Sequence, residues 1–508
     1  MQKIVQPTNL AKIIEQNKKN KLVTVMCHGA FDVLHYGHIN HFIEAKNNGD
    51  ILVVSVTSDK FINKGPNRPF FSEEIRMKTL ASLDVVDYVV LSNSDVSISI
   101  IKTIKPDIYC KGPDYINHKD DISGNIKKEI KEIRRVGGKI AYTKGKTFSS
   151  TKLINTFSDH FNNDQKKFIN IIKSKHTSYY INKMIEKISN LNVLCIGETI
   201  IDEYVFCKAI GKSGKEPVLV LQEMSREKYL GGVCMIANNI AEFVKKTEIL
   251  SVIGDKETHL NFIKSNLQKS TKFNFLNKKN SPTIVKRRFI DYIDKKKLLG
   301  VYDLNDDNFD KIQNKLFINL LKKMNKKFDA FIVVDYGHGI INSTTANLIS
   351  NLKKFTAVNT QINSFNIGFQ KIDKYKKIDL LIINEGELRH DLRDNISSID
   401  NLVKKVDKIV KFKKFVVTCG SLGSYLYSQN GSRISKIFCP AFASRVVDKI
   451  GSGDAMLSMM SISLSAGLSD ELSLFIGSLA AAKSVENIGN SYTFKKVDLL
   501  KSVNHILK

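Results

Sequence analysis

Short apolar runs alternate with helix-like segments along the first third of the chain. The runs consist mainly of Ile, Leu and Val, as expected of strands buried on both faces, and the segments between them repeat apolar residues at helical spacing. This alternation predicts a parallel, doubly wound sheet, in which ligands bind at the carboxyl ends of the strands. The predicted strands are residues 22–26, 51–56, 85–91, 108–110 and 140–142.

A second α/β pattern follows a polar, lysine-rich stretch. Beyond that stretch, further buried strands are predicted at residues 193–196, 331–334, 380–383 and 415–418. The intervening residues are only weakly helical in pattern, which favours a linker. The expected organisation is two α/β domains, residues 1–160 and 191–508, with a linker over residues 161–190.

Two histidines stand where the first predicted strand passes into a helix. Within residues 27–38, His35 and His38 are three positions apart, so they share one face of the first helical turn. A helix N-terminus offers unpaired N–H groups and a positive dipole end, and two imidazoles there could bind a phosphate as its negative charge grows. This arrangement suits nucleotidyl transfer, whereas two polar residues on an exposed turn are the plainer alternative.

Basic side chains occur in two later segments of the first domain. Residues 64–69 form a turn-rich loop with two cations, and residues 74–77 place Arg76 on a helix. These cations could hold a triphosphate, because Arg and Lys bind phosphate oxygens through charge-assisted hydrogen bonds. Exposed loop charges are the alternative.

Two further segments add polar groups near strand ends. Lys111 and Asp114 follow a predicted strand, where the carboxylate could accept from a hydroxyl or bind Mg²⁺. Ser150 and Thr151 precede a helical run, so they could bind phosphate, although an ordinary helix cap would use the same residues.

The strongest motif of the second domain is a glycine-rich turn before a helix. Gly451 and Gly453 free the backbone to direct successive N–H groups at one anion, and Asp454 follows in the first helical turn. There a carboxylate could take a proton from an attacking hydroxyl, as phosphoryl transfer requires. Plain helix capping is the alternative.

Charge and cysteine usage narrow the class of protein. The formal net charge is +27, from 78 Lys and Arg against 51 Asp and Glu, which would permit nucleic-acid binding. The lysines are spread throughout, without a basic arm or an RNA-binding signature, so we expect no nucleic-acid partner. The seven cysteines occur singly, without metal-ligand spacing. No apolar stretch is long enough to span a bilayer, and a cytoplasmic, reducing environment is expected.

The first domain resembles the H-x-G-H nucleotidyltransferase superfamily, in which two histidines stabilise the α-phosphate of a nucleoside triphosphate. Its motifs occur in the order H-G-x-F-D, H-x-G-H, R-P, E-x-R-M, K-G-x-D-Y and S-S-T, and are similar to the transferase half of the bifunctional ADP-heptose synthesis proteins. Related enzymes activate glycerol phosphate or ethanolamine phosphate with CTP, so the motifs leave the base and the acceptor open. The resemblance implies catalysis by His35 and His38, and nucleotide contacts from Gly29, Phe31, Lys111, Asp114, Ser150 and Thr151.

The second domain resembles the ribokinase-like (PfkB) sugar kinases across residues 191–508. The shared features are G-E-T near the start, two adjacent glycines, D-Y-G-H-G, N-E-G-E, T-C-G-S-L-G and the glycine-rich loop. The resemblance implies that Asp454 is the general base and that Glu387 serves Mg²⁺. It also implies sugar contacts from Asp202, Gly231, Gly232 and Asn239, and nucleotide contacts from Asn384, Glu387, Gly420, Gly423, Gly451 and Gly453.

Three positions depart from these family patterns. His28 stands where the transferase half commonly has asparagine. Met235 stands where the kinases usually have the asparagine of G-G-x-x-N, and a thioether cannot make the same hydrogen bonds to a sugar. Residues 358–361 read V-N-T-Q where heptose kinases carry D-P-K. The domain order is also reversed relative to the usual bifunctional protein.

These features predict a two-domain cytoplasmic enzyme. Its second domain would phosphorylate a sugar or sugar phosphate from ATP with Mg²⁺, and its first domain would join a sugar 1-phosphate to a nucleotide from ATP or CTP. ADP-heptose is the leading product. In the alternative, only the transferase acts, and the kinase-like domain binds sugar or mediates oligomerisation. A homodimer is compatible with either hypothesis, and no membrane partner is expected. A third hypothesis, a nucleic-acid-binding protein, rests on the net charge alone.

Overall fold

Two compact units divide the chain. The computed structural model describes residues 3–62, 68–94, 96–115, 125–144, 161–363, 366–431 and 433–507. The first unit comprises Met1–Asn162 with Leu500–Lys508, and the second comprises Asn163–Leu499.

The first unit is built on a five-stranded sheet in which every pairing is parallel. Its strand order is β3-β2-β1-β4-β5. The chain adds β2 and β3 on one side of β1 and then β4 and β5 on the other side, as in a doubly wound fold. The strands are β1 (Thr24–Gly29), β2 (Ile51–Thr57), β3 (Tyr88–Ser92), β4 (Ile108–Lys111) and β5 (Lys139–Tyr142). The helices are α1 (Pro7–Lys19), α2 (Tyr36–Lys46), α3 (Glu73–Ala81), α4 (Ile98–Ile104) and α5 (Ile126–Arg135).

Neighbouring apolar residues along β1 contribute to two different hydrophobic cores of this unit. Val25 packs with Phe42 of α2 in one cluster, whereas Met26 packs with Leu10 of α1 and Ile133 of α5 in the other. Successive side chains of a strand point to opposite faces, so a strand covered on both sides is apolar throughout. The predicted parallel, doubly wound sheet is confirmed.

The second unit contains a nine-stranded sheet of order β10-β9-β6-β13-β14-β15-β16-β17-β18. Pairing is parallel from β10 to β16, and β17 and β18 complete the edge antiparallel. The strands of this sheet are β6 (Asn192–Gly197), β9 (Lys246–Gly254), β10 (Thr271–Lys278), β13 (Ala330–Asp335), β14 (Phe355–Thr360), β15 (Lys377–Asn384), β16 (Lys411–Thr418), β17 (Gly423–Asn430) and β18 (Arg433–Pro440).

A separate four-stranded sheet of order β12-β11-β7-β8 belongs to the same unit. Its strands are β7 (Thr199–Lys212), β8 (Leu219–Gly231), β11 (Ile284–Asp291) and β12 (Lys297–Asp303). The sequence did not reveal it, because much of β8 and β12 is exposed and the strands carry many charges instead of continuous apolar runs. In this sheet β11 pairs with β7 so that Lys286 lies opposite Asp202.

Two helices occupy the segment that was expected to be a linker. They are α6 (Asn163–Lys175) and α7 (Ser178–Ile188). Phe168 packs against Phe475, with ring centroids 6.2 Å apart, and Gln165 donates to the carbonyl of Ala441. The segment therefore packs within the second unit. The many lysines on the exposed faces of these helices masked their apolar stripe of Phe168, Ile169, Ile172, Ile181, Met184, Ile185 and Ile188.

The remaining helices complete the second unit and the chain end. They are α8 (Gly232–Ile240), α9 (Leu260–Asn266), α10 (Lys311–Asn325), α11 (Ser343–Ser350), α12 (Glu385–Leu392), α13 (Ile399–Ile409), α14 (Ser452–Ser465), α15 (Asp470–Val485) and α16 (Lys496–Leu507). Within the described ranges, none of the helices has the length and apolar character needed to cross a membrane.

Candidate active sites

The turn from β1 to α2 brings the two predicted catalytic histidines together. His35 is the extended N-cap residue of α2, and the amide of His38 donates to its carbonyl at 2.9 Å. The two imidazole rings stack, with centroids 3.9 Å apart and an interplanar angle of 17°. Both rings therefore lie at the positive end of the helix dipole, where an anion is stabilised.

Phe31 packs against one member of this pair, His38. Its ring meets His38 edge-on, with centroids 5.5 Å apart, and its backbone adopts a left-handed φ of 46°. A Cβ on Gly29 would lie only 3.0 Å from the Phe31 ring, so glycine leaves room for the ring. The two residues thus shape the turn, and their predicted nucleotide contacts remain a prediction.

The two described arginines of the predicted triphosphate-binding segments are directed into the protein. Arg68 forms a buried ion pair with Asp32, which also accepts from the amides of Phe70 and Phe71. Arg76 is buried and donates to the carbonyls of Ala30 and Thr57, and to Asp59. Arg76 therefore ties the turn after β1 to the end of β2, and its expected role as an exposed phosphate ligand is not supported by its position.

Lys111 is also neutralised within the first unit. Its Nζ lies 3.0 Å from Oε2 of Glu129 on α5, and 5.1 Å and 4.6 Å from the ring centroids of Tyr109 and Tyr115. Burial disfavours the charge, but Tyr109 and Glu129 outweigh that effect and raise the pKa of Lys111. Asp114 lies in a short turn just beyond it. Ser150 and Thr151 lie outside the described residues.

His28 and His41 lie near the same cation and are held neutral. Burial, followed by the charge of Lys111, lowers the pKa of His28 to about 4. Its Nδ1 lies 3.0 Å from the hydroxyl of Ser55. Burial also lowers the pKa of His41 to about 4. His28 is therefore an uncharged hydrogen-bonding group, at the position where the sequence resemblance led us to expect asparagine.

A polar cavity of about 320 Å³ opens in the second unit beside the glycine-rich loop. Residues predicted from distant parts of the chain line it together. They are Asp202, Gly232, Asn384, Glu387, Gly451, Gly453 and Asp454.

Asp454 lies in the first turn of α14 and is buried. The hydroxyl of Tyr336 donates to its Oδ1 at 3.0 Å. Burial raises the pKa of Asp454 to about 7, although the hydrogen bond from Tyr336 opposes that rise. A carboxylate with this pKa can exchange a proton at neutral pH, which is what a general base must do.

Gly451 makes the close approach of the loop possible. Its φ is 86°, in the left-handed region, and a Cβ there would lie 2.2 Å from Oδ1 of Asn490. Any side chain at this position would collide with the cavity wall. Glycine thus allows α14 to begin against the residues that hold Asp202.

Both carboxylate oxygens of Asp202 accept hydrogen bonds. Arg288 donates to Oδ1, and the amide of Asn490 donates to Oδ2 at 2.8 Å. Gly231 accommodates this carboxylate, since a Cβ there would lie 2.4 Å from Oδ2. The side chain predicted to hold the sugar is thereby oriented at the cavity wall.

Asn384 and Glu387 form a capping box at the start of α12. The Asn384 side chain accepts from the amide of Gly386 at 2.9 Å, and Glu387 accepts from the amide of Asn384 at 3.2 Å. Burial raises the pKa of Glu387 to about 7. Both side chains border the cavity, so the cap also places polar groups at the site.

Several predicted site residues lie elsewhere in the second unit. Asn239 is buried in α8 and accepts from the amide of Phe494 at 3.1 Å, and Met235 is buried in the same helix. Gly420 lies in an exposed turn, and the backbone of Gly423 approaches the carbonyl of Cys439. None of these residues lines the cavity.

Other residues of the cavity were missed by sequence reasoning. Tyr336 lies within the D-Y-G-H-G motif, but the motif alone gave no role for its hydroxyl. Glu198 of the G-E-T motif fixes that loop by accepting from the amides of Tyr336 and His338, each at 3.1 Å. Lys286 and Arg288 also line the cavity, and their alternation along a strand is a signal that could have revealed them.

Each of the two units matches a known protein family. Residues 190–496, more than half of the chain, match the pfkB family of carbohydrate kinases. The chain belongs to the pfkB carbohydrate kinase family. Residues 26–156 match the cytidylyltransferase-like family. The expected fold class, a Rossmann-like transferase domain and a ribokinase-like domain, is confirmed for this member of the pfkB family.

Curated relatives match the first unit. The chain is 44% identical over 126 residues to Bifunctional protein HldE of Helicobacter pylori strain J99, covering 24% of this chain and 27% of the relative. It is 38% identical over 149 residues to Bifunctional protein HldE of Campylobacter fetus subsp. fetus, covering 29% of this chain and 30% of the relative. The matches thus span less than a third of the length of these relatives, over the cytidylyltransferase region.

A solved structure matches the second unit. Phosphofructokinase-2 from Escherichia coli, in complex with substrates and products, has a TM-score of 0.50 and 15% sequence identity. The alignment covers 63% of this chain and 100% of that chain. At this identity the likeness concerns the fold alone.

Proposed function

We propose that this chain is a bifunctional enzyme that makes a nucleotide-activated sugar. The cavity around Asp454 phosphorylates a sugar or sugar phosphate from ATP, and the site at His35 and His38 joins a sugar 1-phosphate to a nucleotide. ADP-heptose is the leading product, supported by the relatives named Bifunctional protein HldE. Because their matches cover only a part of each relative, the complete activity is a proposal about this chain.

The state of Asp454 carries the kinase proposal. A buried carboxylate with a pKa near 7 lies in the first turn of a helix, directly after Gly451 and Gly453. The acceptor hydroxyl would attack the γ-phosphorus of ATP as Asp454 takes its proton. A new oxygen–phosphorus bond forms, the bond to the bridging oxygen breaks, and ADP leaves. The amides of the loop and the helix dipole stabilise the phosphate charge.

Glu387 provides a fitting oxygen for the magnesium ion that accompanies ATP. Mg²⁺ is bound through one or two carboxylates together with substrate phosphates, and does not require a cage of protein ligands. This agrees with the absence, among the described residues, of any cluster of three or more metal-binding side chains. When bound, the ion neutralises phosphate charge. Its presence also favours the ionised form of Glu387, whose pKa burial raises to about 7.

The stacked histidines support the transferase proposal. An oxygen of the sugar 1-phosphate would attack the α-phosphorus of the nucleoside triphosphate. The bond between that phosphorus and the oxygen bridging to the β-phosphate breaks, and pyrophosphate leaves. His35 and His38 would stabilise the growing negative charge at the α-phosphate, in the position where the dipole of α2 adds to their effect.

The kinase activity is tested with the full-length protein, ATP, Mg²⁺ and heptose 7-phosphate. We expect release of ADP in wild type and not in Asp454→Asn. Related sugar phosphates are tested in parallel, because the acceptor follows from relatives that match only the first unit. No ADP release with any of them would contradict the kinase proposal.

The transferase activity is tested by pyrophosphate release from ATP or CTP with sugar 1-phosphates. We expect His35→Ala and His38→Ala each to lower the rate about 10²- to 10³-fold, the effect of removing one group that stabilises transition-state charge. Asn40→Ala, which removes a half-buried side chain of α2 that donates to Glu44, is the matched control. An unchanged rate in both histidine variants would exclude this site.

The positions of Met235 and Asn239 favour a second candidate, in which the kinase-like unit binds sugar without phosphorylating it. Neither residue lines the cavity, so the asparagine contacts expected of a sugar kinase are not made there. Calorimetry separates the two candidates. Sugar binding that is unaccompanied by ADP release in the presence of ATP would establish the second.

A further inference from the structure

A buried carboxylate stands just before the glycine-rich loop of the second unit. Asp448 is three residues ahead of Gly451, and its side chain is only 5% exposed. The six residues that follow it, 449–454, line the cavity, whereas Asp448 itself does not. Asp448 can therefore influence chemistry in the cavity only through the loop to which it belongs.

Four groups donate hydrogen bonds to the Asp448 carboxylate. Oδ1 accepts from the ammonium group of Lys297 at 2.6 Å and from the amide of Ile450 at 3.2 Å. Oδ2 accepts from the hydroxyl of Tyr204 at 3.0 Å and from the amide of Gly489 at 3.1 Å. Each oxygen thus joins a side chain of the four-stranded sheet to a backbone amide outside that sheet. A buried carboxylate with this set of donors is held in one orientation.

The two side-chain donors come from the sheet that also carries the residue expected to hold the sugar. Tyr204 lies on β7 two positions after Asp202, so the two residues share a face of the strand. Arg288, which donates to Asp202, lies opposite Tyr204 in the sheet and 5.6 Å from the centroid of its ring. Lys297 is the first residue of β12. One sheet therefore holds both Asp202 and the carboxylate that precedes the loop.

The backbone around Asp448 is packed too closely to shift freely. A Cβ on Gly489 would lie 2.3 Å from the hydroxyl of Tyr204, and one on Gly451 would lie 2.2 Å from Oδ1 of Asn490. The same loop leads directly into the helical turn that contains Asp454. A displacement of the loop would move its amides and this carboxylate together, and phosphoryl transfer depends on the placement of both.

We propose that Lys297 and Tyr204 are positioning residues that hold the glycine-rich loop in place for phosphoryl transfer through the carboxylate of Asp448. This inference rests on the proposed kinase function. Neither side chain lines the cavity, so neither contacts the substrates there. A misplaced loop stabilises the transition state less, while the contacts that bind the acceptor at Asp202 are retained. The loss should therefore fall on kcat.

The test measures kcat and acceptor binding separately on the full chain. ADP release is followed with ATP, Mg²⁺ and heptose 7-phosphate, fructose 6-phosphate or glucose 6-phosphate, and acceptor binding is measured by calorimetry. Lys297→Met should lower kcat about 10- to 100-fold, the cost of a small misplacement of reacting groups. The Kd of the acceptor should change less than about 3-fold, because Asp202 keeps its own partners. Lys297→Arg retains a cation and should recover most of kcat.

Tyr204→Phe is a milder second variant. It removes one hydroxyl and keeps the ring beside Arg288, so kcat should fall about 3- to 10-fold, the value of one hydrogen bond. This variant decides the question if Lys297→Met does not fold, which an absence of acceptor binding would reveal. Lys296→Met is the matched control, because it removes the neighbouring lysine, whose side chain is 79% exposed. Its kcat should equal that of wild type.

Three results would overturn the inference. The first is an unchanged kcat in both Lys297→Met and Tyr204→Phe, which would leave the kinase proposal intact. The second is a loss that lies entirely in the Kd of the acceptor, since the two residues would then act on acceptor binding. The third is an equal loss of kcat in Lys296→Met, which would reduce the effect to net charge. No ADP release by wild type with any acceptor would overturn the inference and the proposed kinase function together.

Discussion

The buried charges near the two candidate sites are arranged differently. In the first unit, Arg68 and Lys111 are buried beside carboxylates of their own protein, Asp32 and Glu129. In the second unit, burial raises the pKa of Asp454 to about 7, and Lys286 has no ion-pair partner in the described part of the chain. The Asp32–Arg68 pair ties the turn after β1 to residues 68–71, and the Lys111–Glu129 pair joins β4 to α5. Asp454 and Lys286 both line the cavity, where a substrate can contact them.

The largest expected effect comes from Asp454→Asn. Loss of a general base should lower ADP release about 10²- to 10⁴-fold. Pyrophosphate release at the first unit should be unchanged, which provides the internal control. A variant that retains kinase activity would show that the raised pKa of Asp454 has no catalytic purpose.

The same substitution should stabilise the fold at alkaline pH. The folded-state pKa of Asp454, about 7, lies above its unfolded value of about 3.9, so ionisation in the cavity costs stability as the pH rises from 4 to 7. Removal of the charge should raise the free energy of unfolding at pH 8 by about 2–4 kcal/mol, and the gain should disappear near pH 4. Denaturant unfolding at both pH values measures the difference.

Removal of a paired charge from the first unit should destabilise the fold instead of stabilising it. Asp32→Asn leaves the Arg68 guanidinium buried without its carboxylate, so we expect a loss of about 3–5 kcal/mol in the free energy of unfolding. The double variant Asp32→Asn, Arg68→Met should recover much of that loss, because it removes the buried charge. If the single variant is as stable as wild type, the ion pair does not support the β1–α2 turn.

Tyr336→Phe should have a smaller effect on rate and a specific effect on pH dependence. The Tyr336 hydroxyl lowers the pKa of Asp454, so its removal should move the acid limb of the kinase profile to higher pH. At pH 7 the rate should fall about 3- to 10-fold, the value of one hydrogen bond. Tyr375→Phe, which removes a similar hydrogen bond to Asp335, is the control and should leave the limb in place. A limb that does not move in Tyr336→Phe would contradict this role.

The smallest expected effect comes from an exposed ion pair of the first unit. Lys78 and Glu74 are one helical turn apart on α3, with 68% and 73% of their side chains exposed. Solvent screens such pairs, so Lys78→Met should change the free energy of unfolding by less than about 0.5 kcal/mol. A loss comparable to that of Asp32→Asn would mean that burial does not explain the difference between the two pairs.

Short sequence motifs predicted those parts of each site that lie within a few consecutive residues. The spacing of His35 and His38 and the glycines before Asp454 depend on one strand end or one helix start, where backbone geometry follows from the nearby residues. The fold class followed equally well from the apolar runs of the parallel sheets.

Sequence motifs could not predict contacts between segments that are far apart in the chain. Asn490 reaches Asp202 across 288 positions of the chain, and Glu129 reaches Lys111 only because α5 packs beside β4. The four-stranded sheet was missed because much of β8 and β12 is exposed and carries many charges, and with it Lys286 was missed. Conversely, Asn239 belonged to a recognisable motif, but the packing of α8 turns it toward Phe494.

The most direct test of the account is the pH dependence of kcat/KM for ATP-dependent phosphorylation of a sugar phosphate. This parameter reports the ionisation of the free enzyme, in which burial raises the pKa of Asp454 to about 7. We predict that activity rises through a midpoint near pH 7 and that Asp454→Asn abolishes the rise. A midpoint near pH 4, or activity that does not depend on Asp454, would contradict the claim that this cavity is a kinase site with Asp454 as its base.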